Sequence, residues 1–334
     1  MRFGKVSDSV LKRSVLKNIK KRRNEIVIGA GLGEDCAIFS LSQDASVATC
    51  LSQAVVCGEE DAARLVQKVM NNLACSGSAP LAVMLSITLP ENAREIRIKE
   101  IMSGAEKTAA TANVQIIGGH TTVSPYVSKT IVSAVGYGQI NGKGLTTKGI
   151  KPGMDIVVSK WIGLEGTSLL AKQAETELKK RYPAYMIDEA ICFEQCLSIL
   201  PEAAVAVSSG TRHMHDASEG GIFAAFWELA ESSGVGLEIE LRRLPIRQET
   251  VEVCEFLGVN PYELLSGGAL LMVTEDGNGL VEKLFDEGIN AVVVGKTTDN
   301  NDKIIYNGEE KRFMDKPSMD EIHRWNYSEP RLFS

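Results

Sequence analysis

The stretch EIVIGAGLGEDCAIF, residues 25–39, defines the entry into the first part of the chain. Two short apolar runs flank a glycine-rich segment that carries an acidic pair, Glu34 and Asp35. Short apolar runs bounded by glycine are typical of strands, so the stretch predicts a strand, a loop and a second strand. Backbone amides of glycine-rich loops bind phosphate, and carboxylates hold magnesium. The loop is therefore a candidate phosphate site, with Gly33 and Asp35 as its candidate ligands.

The segments that follow mix strand and helix patterns. Helical spacing is seen over residues 61–74 and again from Pro90 to about Asn113, and four further runs have strand character: SVATCLSQAVV, LAVMLSITLP, VQIIGGHTTV and KTIVSAVGYGQI. The glycines of the third run, Gly118 and Gly119, are expected to lie in a connecting loop. Because strands and helices do not alternate strictly, the pattern predicts an α+β layer rather than a doubly wound sheet.

A turn-rich polar segment, residues 141–155, separates this part from the rest of the chain. We place the domain boundary at Gly149, which gives an N-terminal domain over residues 1–149 and a C-terminal domain over residues 150–334. The C-terminal part again contains several strand and helix patterns of ordinary length. The predicted fold class is therefore α+β, with two domains of similar content.

Composition narrows the class of protein. The 334 residues are 44% hydrophobic and 24% charged, which is usual for a globular protein, and no run approaches the length of a membrane span. The net charge of −7 argues against broad nucleic-acid binding. Seven cysteines without a secretory signal indicate reduced thiols, and four histidines without ligand spacing make a zinc site improbable. We expect a cytoplasmic protein with no membrane or nucleic-acid partner.

The N-terminal segment is strongly basic. Residues 1–24 hold nine Lys or Arg and one Asp, and residues 7–24 space Val10, Leu11, Val15, Leu16 and Ile19 along one helical face. A packed amphipathic helix with a solvated basic face is the first interpretation. An organellar presequence and a basic arm near a phosphate ligand are the alternatives.

The stretch MHDASEGG, residues 214–221, places His215, Asp216 and Glu219 before a glycine pair and a helical pattern. The unpaired N–H groups of a helix N-terminus attract anions, and glycine lets a ligand approach the backbone closely. One interpretation is therefore an anion site at Gly220 and Gly221. The other is structural, with Ser218 capping the helix and Glu219 complementing its dipole.

Several motifs together carry a resemblance to a known family, from Gly4 to about Thr298. They occur in the order GEDCAIF, NNLACSGSAP, IIGGHTTV, IGLEGTSLLA, MHDASEGG, ELAESSGVGLEIE and LSGGALLMV. In this order the chain resembles the AIR synthase (PurM)-like superfamily, and specifically its branch around the hydrogenase-maturation protein HypE. Neither a Walker A nor a Rossmann glycine motif is present.

The resemblance implies a two-domain fold whose N-terminal domain dimerises and forms most of a cleft for ATP. It implies nucleotide contacts from Gly33, Asp35, Asn72, residues 118–121 (Gly118, Gly119, His120 and Thr121) and the pair Gly220 and Gly221. Superfamily members use ATP to activate an oxygen or another poor leaving group of a small molecule. His215, Asp216 and Glu219 would then orient or deprotonate the acceptor. A hydrogenase-maturation protein, such as a carbamoyltransferase, is a further expected partner.

The chain departs from the family pattern in two places. Asp35 keeps one carboxylate position for Mg²⁺, but Cys50 and Asn72 stand at two others, so either nearby acids substitute or the metal site is weak. At the C-terminus PRLF, residues 330–333, either resembles the HypE tail by chance or is that tail with Phe333 at the position of the cysteine that carries the carbamoyl group, and phenylalanine cannot perform that chemistry. The expected function is thus ATP-dependent activation of a small-molecule oxygen, or nucleotide and partner binding without catalysis by a homodimer.

Overall fold

A computed structural model describes residues 4–31, 36–42 and 44–328 of the chain. The chain divides into two compact units, residues 1–144 and residues 145–334. The division falls inside the turn-rich segment, five residues before Gly149, at which the sequence predicts the boundary. Within the described ranges no single helix is long and apolar enough to cross a membrane. The segments Ala184–Cys196 and Leu200–Ser208 meet that requirement only as a pair bent by 52°.

The first unit contains a five-stranded sheet and a separate two-stranded hairpin. The sheet has the order β1-β6-β5-β7-β4, and β2 pairs with β3. The strands are β1 (Gly4–Lys5), β2 (Ile26–Ile28), β3 (Ile38–Phe39), β4 (Ala45–Val55), β5 (Ala79–Pro90), β6 (Gln115–Ser124) and β7 (Ile131–Asn141). The hairpin confirms the two strands predicted within residues 25–39.

Two long helices pack against each other on one face of this sheet: α2 (Glu59–Cys75) and α3 (Glu95–Thr111). The apolar face of α2 is fully buried, because Val66, Val69 and Met70 have no exposed surface. The first turn of α2 contains three acidic residues, and their negative charge stabilises the helix because it lies at the positive end of the helix dipole. The opposite face of β4 is open: Val47, Leu51 and Val55 are 55%, 64% and 48% exposed.

The basic N-terminal segment is helical only in part. It forms three consecutive short helical segments, α1 (Asp8–Val10), Leu11–Val15 and Leu16–Asn18, and the last two have π and 3₁₀ geometry. The helix ends at Asn18 because the buried carboxylate of Glu106 accepts hydrogen bonds from the backbone N–H groups of Lys20 and Lys21, at 2.7 and 2.6 Å. The basic residues that follow therefore form an ordered strap rather than a helical face.

The glycine pair of the first unit lies inside a strand, so the prediction of a loop at residues 118–121 is wrong. Gly118 and Gly119 pair with Met84 and Leu85 of β5, next to a register shift. Gly119 has a φ of +150°, and a Cβ atom there would overlap the carbonyl group of Leu85. Glycine is therefore used here for a close approach of two strands, and not to end a strand.

The second unit is built on a seven-stranded sheet with the order β14-β13-β10-β12-β8-β11-β9. Its strands are β8 (Asp155–Ser159), β9 (His213–Asp216), β10 (Gly236–Glu240), β11 (Leu270–Thr274), β12 (Ala291–Thr298), β13 (Lys303–Asn307) and β14 (Glu310–Phe313). The antiparallel strands β8 and β11 are buried on both faces. The arrangement confirms the α+β class.

Eight helices accompany this sheet in the described residues of the second unit. They are α4 (Leu164–Gln173), α5 (Glu175–Arg181), α6 (Ala184–Cys192), α7 (Leu200–Ser208), α8 (Gly221–Ser233), α9 (Gln248–Leu257), α10 (Gly277–Asp286) and α11 (Glu321–Ser328). Helix α8 buries Ile222, Phe226 and Leu229 against the strands. It ends at Gly234, whose φ of +70° is the left-handed stop that the sequence predicts.

Candidate functional site

The first candidate site is a recess in the first unit. Its walls come from the glycine segment Gly29–Gly31, from Gly118, Gly119 and Thr121 of β6, and from apolar side chains of the basic helix such as Leu11 and Leu16. Its volume is about 90 Å³. Two glycine segments that lie 87 residues apart in sequence therefore meet at one place. Gly33 and Asp35 lie outside the described residues, and so does the rest of the glycine loop over residues 32–35.

The predicted residues of β6 differ in their environment. Thr121 is only 4% exposed and lines the recess, and its backbone carbonyl accepts a hydrogen bond from Val6 at 3.2 Å. His120 is exposed and is not among the lining residues. The side chains of neighbouring strand residues alternate between faces, so one strand cannot direct both residues into the same recess.

Asn72 also lies away from the lining of the recess. Its side-chain amide donates to the hydroxyl oxygen of Ser52 at 3.4 Å, between α2 and β4. The thiol of Cys50, two residues before Ser52 on β4, donates to the carbonyl oxygen of Val69 at 3.4 Å, and burial raises the pKa of this thiol. The two side chains are therefore neutral and are engaged with the protein. They do not fit a magnesium site, because Mg²⁺ prefers anionic oxygen ligands.

The second candidate site is the stretch over residues 214–221. The sequence predicts a loop here, but residues 213–216 form β9, a short strand at the edge of the seven-stranded sheet. His213 and His215 lie on one face of β9, and Met214 and Asp216 are buried on the other. The structure therefore does not bring His215 and Asp216 together, because consecutive strand residues point to opposite faces.

His215 has an acidic partner that the sequence does not reveal. Its Nε2 atom lies 2.9 Å from Oε2 of Glu228 on α8, and this contact lowers the pKa of Glu228. The ring of His215 stacks on that of His213, with centroids 6.4 Å apart. Burial, with a smaller contribution from His215, lowers the pKa of His213 to about 4. The Glu228 side chain is 61% exposed, so this contact is a surface pair in which the carboxylate orients the imidazole.

The backbone amides of the glycine pair are used within the chain. Gly220 N–H donates to Oδ2 of Asp320 at 2.6 Å, and Gly221 N–H donates to the carbonyl oxygen of Ser218 at 3.2 Å. The Asp320 carboxylate, 3% exposed, also accepts from the backbone N–H groups of Leu265 and Ile322, at 3.3 and 2.8 Å. An anion does occupy the start of α8, as the helix dipole favours, but it belongs to the protein.

The structural interpretation of the same stretch is wrong for Ser218, and no acidic residue lies in the first turn of α8. The N-cap residue of α8 is Gly220, so Ser218 does not have the predicted capping role. Glu219 is 63% exposed and pairs with His323 of α11 at 3.5 Å. Sequence reasoning missed Asp320 and Glu228. The pattern SMDE at residues 318–321 is a recognisable helix start, which could have identified Asp320 as a cap. No local pattern points to Glu228.

Among the described residues, no group of three or more His, Cys, Asp or Glu side chains is arranged to hold a metal ion. Asp35 lies outside that set. The described part of the two candidate sites thus supplies backbone amides, hydroxyl groups and two imidazole–carboxylate pairs, His215–Glu228 and His323–Glu219.

Comparison with known proteins gives a consistent result over nearly the whole chain. The model of the AIR synthase related protein N-terminal domain matches residues 33–140, and that of the C-terminal domain matches residues 151–307. A putative hydrogenase expression/formation protein of Methanocaldococcus jannaschii is 28% identical over 331 residues, which cover 96% of each chain.

Two solved structures have the same fold. E. coli HypE, a hydrogenase maturation protein, gives a TM-score of 0.79 at 20% identity, over 96% of this chain and 100% of that chain. A HypE structure in complex with ATP gives a TM-score of 0.78 at 17% identity, over 94% and 95%. With the two domain matches spanning most of its residues, the chain belongs to the AIR synthase related protein family and resembles the HypE-like hydrogenase expression proteins within it.

Proposed function

We propose that the protein binds ATP or a related nucleotide in its first unit. The observation that carries the proposal is the convergence of Gly29–Gly31 and Gly118–Gly119 on one recess. Exposed backbone at glycine segments is suited to phosphate oxygens. The recess holds one phosphate or part of a base, so the rest of the nucleotide extends past it, with Gly33 and Asp35 as the proposed contacts. The fold shared with an ATP-bound HypE supports this assignment.

We further propose that the bound ATP activates an oxygen of a small-molecule acceptor. His215 is the proposed proton carrier, since Glu228 holds its Nε2 atom at 2.9 Å. Asp216 and Glu219 stay predictions for orienting the acceptor. In this scheme Gly220 and Gly221 support the position of α8, because their N–H groups are already bonded within the chain.

A second candidate function is nucleotide binding without turnover. The neutral thiol of Cys50 and the amide of Asn72 favour it, since they add no negative charge to hold the metal ions that phosphoryl transfer uses. Under this alternative the protein acts by binding, and nucleotide occupancy would control its partners.

Calorimetric titration with ATP, with and without Mg²⁺, together with an assay for ADP, tests these functions. The informative variant is Gly118→Val, because a Cβ atom at Gly118 reaches only ordinary contact, at 3.4 Å from Met84, and narrows the recess. Gly142→Ala is the control: its φ of +99° makes alanine strained there, but a Cβ atom meets nothing within 4 Å, so the variant adds backbone strain without narrowing the recess. We expect binding to the wild type and the control and weakened binding to Gly118→Val. Absence of ATP binding by the wild type contradicts the proposal.

The assay for ADP separates the two candidates. ADP formation above background, lost in Asp35→Ala and reduced in His215→Gln, supports catalysis. Binding that releases no ADP with any added acceptor supports the second candidate.

The open face of β4 supports the proposed homodimer. In the described sheet β4 is the terminal strand, it is eleven residues long and it pairs only with β7. Exposed long edge strands with apolar side chains associate readily. Leu51→Lys is expected to convert a dimer of two 36.2 kDa chains to monomers in light scattering. Val27→Lys serves as the control, because Val27 is another exposed apolar residue of this unit and lies outside β4. A wild-type monomer contradicts the assignment.

We also propose a hydrogenase-maturation protein as partner, on the strength of the relative from Methanocaldococcus jannaschii. The test is capture of a purified carbamoyltransferase by the immobilised chain. If the immobilised chain captures an unrelated acidic protein equally well, a specific complex is contradicted.

A further inference from the structure

We propose that a pocket in the second unit binds a small zwitterion of the α-amino-acid type, a molecule with a carboxylate, an ammonium group and a short apolar body. The pocket has a volume of about 260 Å³ and is lined only by residues of the second unit. Cavities for drug-sized ligands measure roughly 300–1,000 Å³, so this one suits a smaller molecule. The inference is independent of the nucleotide site proposed above.

The roof of the pocket is an arch of chain over residues 315–319 with both ends fixed. At one end Met314 is buried, and its N–H donates to the carbonyl oxygen of Lys303 at 2.7 Å. At the other end the buried carboxylate of Asp320 holds the arch to Gly220 through a 2.6 Å hydrogen bond. The pocket is therefore part of the folded unit and not a gap under a loose loop.

The floor of the pocket is apolar and rigid. Phe223, which is 7% exposed, stacks nearly parallel on Tyr262, with centroids 5.2 Å apart and an angle of 10°. Ile305 of β13 is fully buried beside it. This floor suits a short aliphatic or thioether side chain, because it offers apolar contact and no hydrogen-bonding group.

The lining of the pocket includes two cations, Arg312 and Lys316. Within the described part of the chain neither forms an ion pair, and the guanidinium of Arg312 lies 5.8 Å above the ring of Phe223. A guanidinium next to an apolar floor, without a carboxylate of its own, is suited to bind the carboxylate of a ligand.

The lining also includes a fixed carboxylate, that of Glu263. The Oε1 atom of Glu263 accepts a hydrogen bond from the side-chain amide of Asn260 at 2.8 Å. The backbone N–H of Glu263 donates to the backbone carbonyl oxygen of Asn260 at 3.2 Å. The side-chain oxygen of Asn260, Oδ1, accepts a hydrogen bond from Tyr262 N–H at 3.1 Å, and this bond closes a tight turn. Glu263 is thus held in place, and its second oxygen is suited to an ammonium group.

The charges select against simpler ligands. Glu263 and Asp315 repel a plain anion, while Arg312 and Lys316 repel a plain cation. A molecule that carries both a carboxylate and an ammonium group can pair with the cations and with the carboxylates of the lining at once. The size and the floor then favour amino acids such as leucine and methionine.

The test is calorimetric titration of the full chain with L-leucine and L-methionine. Two analogues of leucine each lack one charged group: 4-methylpentanoate has no ammonium, and 3-methylbutylamine has no carboxylate. We expect at least one amino acid to bind and both of its analogues to bind about 10- to 100-fold more weakly, since each loses one charge-assisted contact.

Variants identify the pocket as the site. Arg312→Gln is expected to weaken binding of the amino acid by about 10-fold or more, and Glu263→Gln similarly. Lys311→Gln is the matched control, because Lys311 is exposed on the same strand and does not line the pocket. Since Glu263 takes part in a turn, Lys316→Gln on the exposed arch provides a second variant with little risk to folding.

Two results would overturn the proposal. One is the absence of binding of both amino acids at up to about 10 mM. The other is binding that the analogues match in strength, or that Arg312→Gln and Lys316→Gln leave unchanged. Either result leaves the proposed nucleotide binding intact, because the ATP titration is a separate measurement.

Discussion

Replacement of Asp320 by alanine tests how the stretch over residues 214–221 is held. The Asp320 carboxylate is 3% exposed and accepts hydrogen bonds from three backbone N–H groups. The contacts with Gly220 and Ile322 are close, at 2.6 and 2.8 Å, whereas the contact with Leu265 is longer, at 3.3 Å. Asp320→Ala leaves these donors buried without a partner.

The expected loss follows from these distances. A buried donor left unsatisfied costs about 1–3 kcal/mol, so two close contacts and one long contact give a loss of about 3–5 kcal/mol. This is a large part of the ~5–15 kcal/mol that stabilises a domain. Asp320→Asn keeps one acceptor oxygen, so we expect about 1–3 kcal/mol for that variant.

Burial raises the pKa of Asp320, which adds a pH dependence with a definite sign. A carboxyl group with a raised pKa binds its proton more tightly in the folded state. Its contribution therefore lowers the unfolding free energy as the pH rises from about 3.9, the usual value for Asp, towards the raised pKa. Asp320→Asn should remove this component, and the difference between the two unfolding profiles measures it.

Urea unfolding followed by tryptophan fluorescence is the suitable assay, because all three tryptophans, Trp161, Trp227 and Trp325, belong to the second unit. The control is Asp315→Ala on the exposed arch, which should change the unfolding free energy by less than about 0.5 kcal/mol. If Asp320→Ala unfolds at the same urea concentration as the wild type, the three N–H groups are solvated, and the reasoning about this carboxylate is refuted.

Three further predictions concern single side chains. Gly119→Ala should cost about 3 kcal/mol or more in urea unfolding, because its Cβ atom overlaps a neighbouring carbonyl group, whereas Gly142→Ala, with open space around it, should cost about 1 kcal/mol. Lys160→Met leaves the 2% exposed carboxylate of Glu202 without its cation and should cost about 3–5 kcal/mol; adding Glu202→Gln should restore part of the loss. Burial lowers the pKa of His213 to about 4, so its neutral form is favoured in the fold. Acidification from about pH 6.5 to pH 4 should therefore lower the unfolding free energy by up to about 3 kcal/mol, and His213→Asn should flatten this slope.

Much of the fold is readable from the sequence because it depends on local periodicity. The apolar spacing over residues 61–74 predicts α2, and the alternation over residues 45–55 predicts β4. The failures occur where a distant partner determines the conformation. Gly118 and Gly119 have the composition of a loop, but their place beside Leu85 in a parallel pair keeps them in a strand. Only the tertiary pairing of β5 with β6 supplies that information.

The candidate sites show the same limit. At residues 214–221 the sequence predicts a site for an external anion at a helix start, whereas the structure has a carboxylate of the chain itself there. The identity of the anion is Asp320, one hundred residues further along the chain, and no pattern near Gly220 indicates it. Likewise His215 and Asp216 are neighbours in sequence, yet pairing of β9 with β11 places them on opposite faces. Proximity in sequence predicts shared function in a loop but not in a strand.

The occupied start of α8 changes where an external anion is to be sought. A phosphate at Gly220 would have to displace a buried carboxylate that has three hydrogen bonds, at a cost of about 3–5 kcal/mol before any gain from its own contacts. The backbone at Gly29–Gly31 and Gly118–Gly119 imposes no such cost, because the recess between these segments is open. ATP affinity should therefore respond to Gly118→Val and not to Asp320→Asn. If Asp320→Asn folds normally and changes the ATP affinity more than Gly118→Val does, the anion site lies in the second unit and this reasoning is wrong.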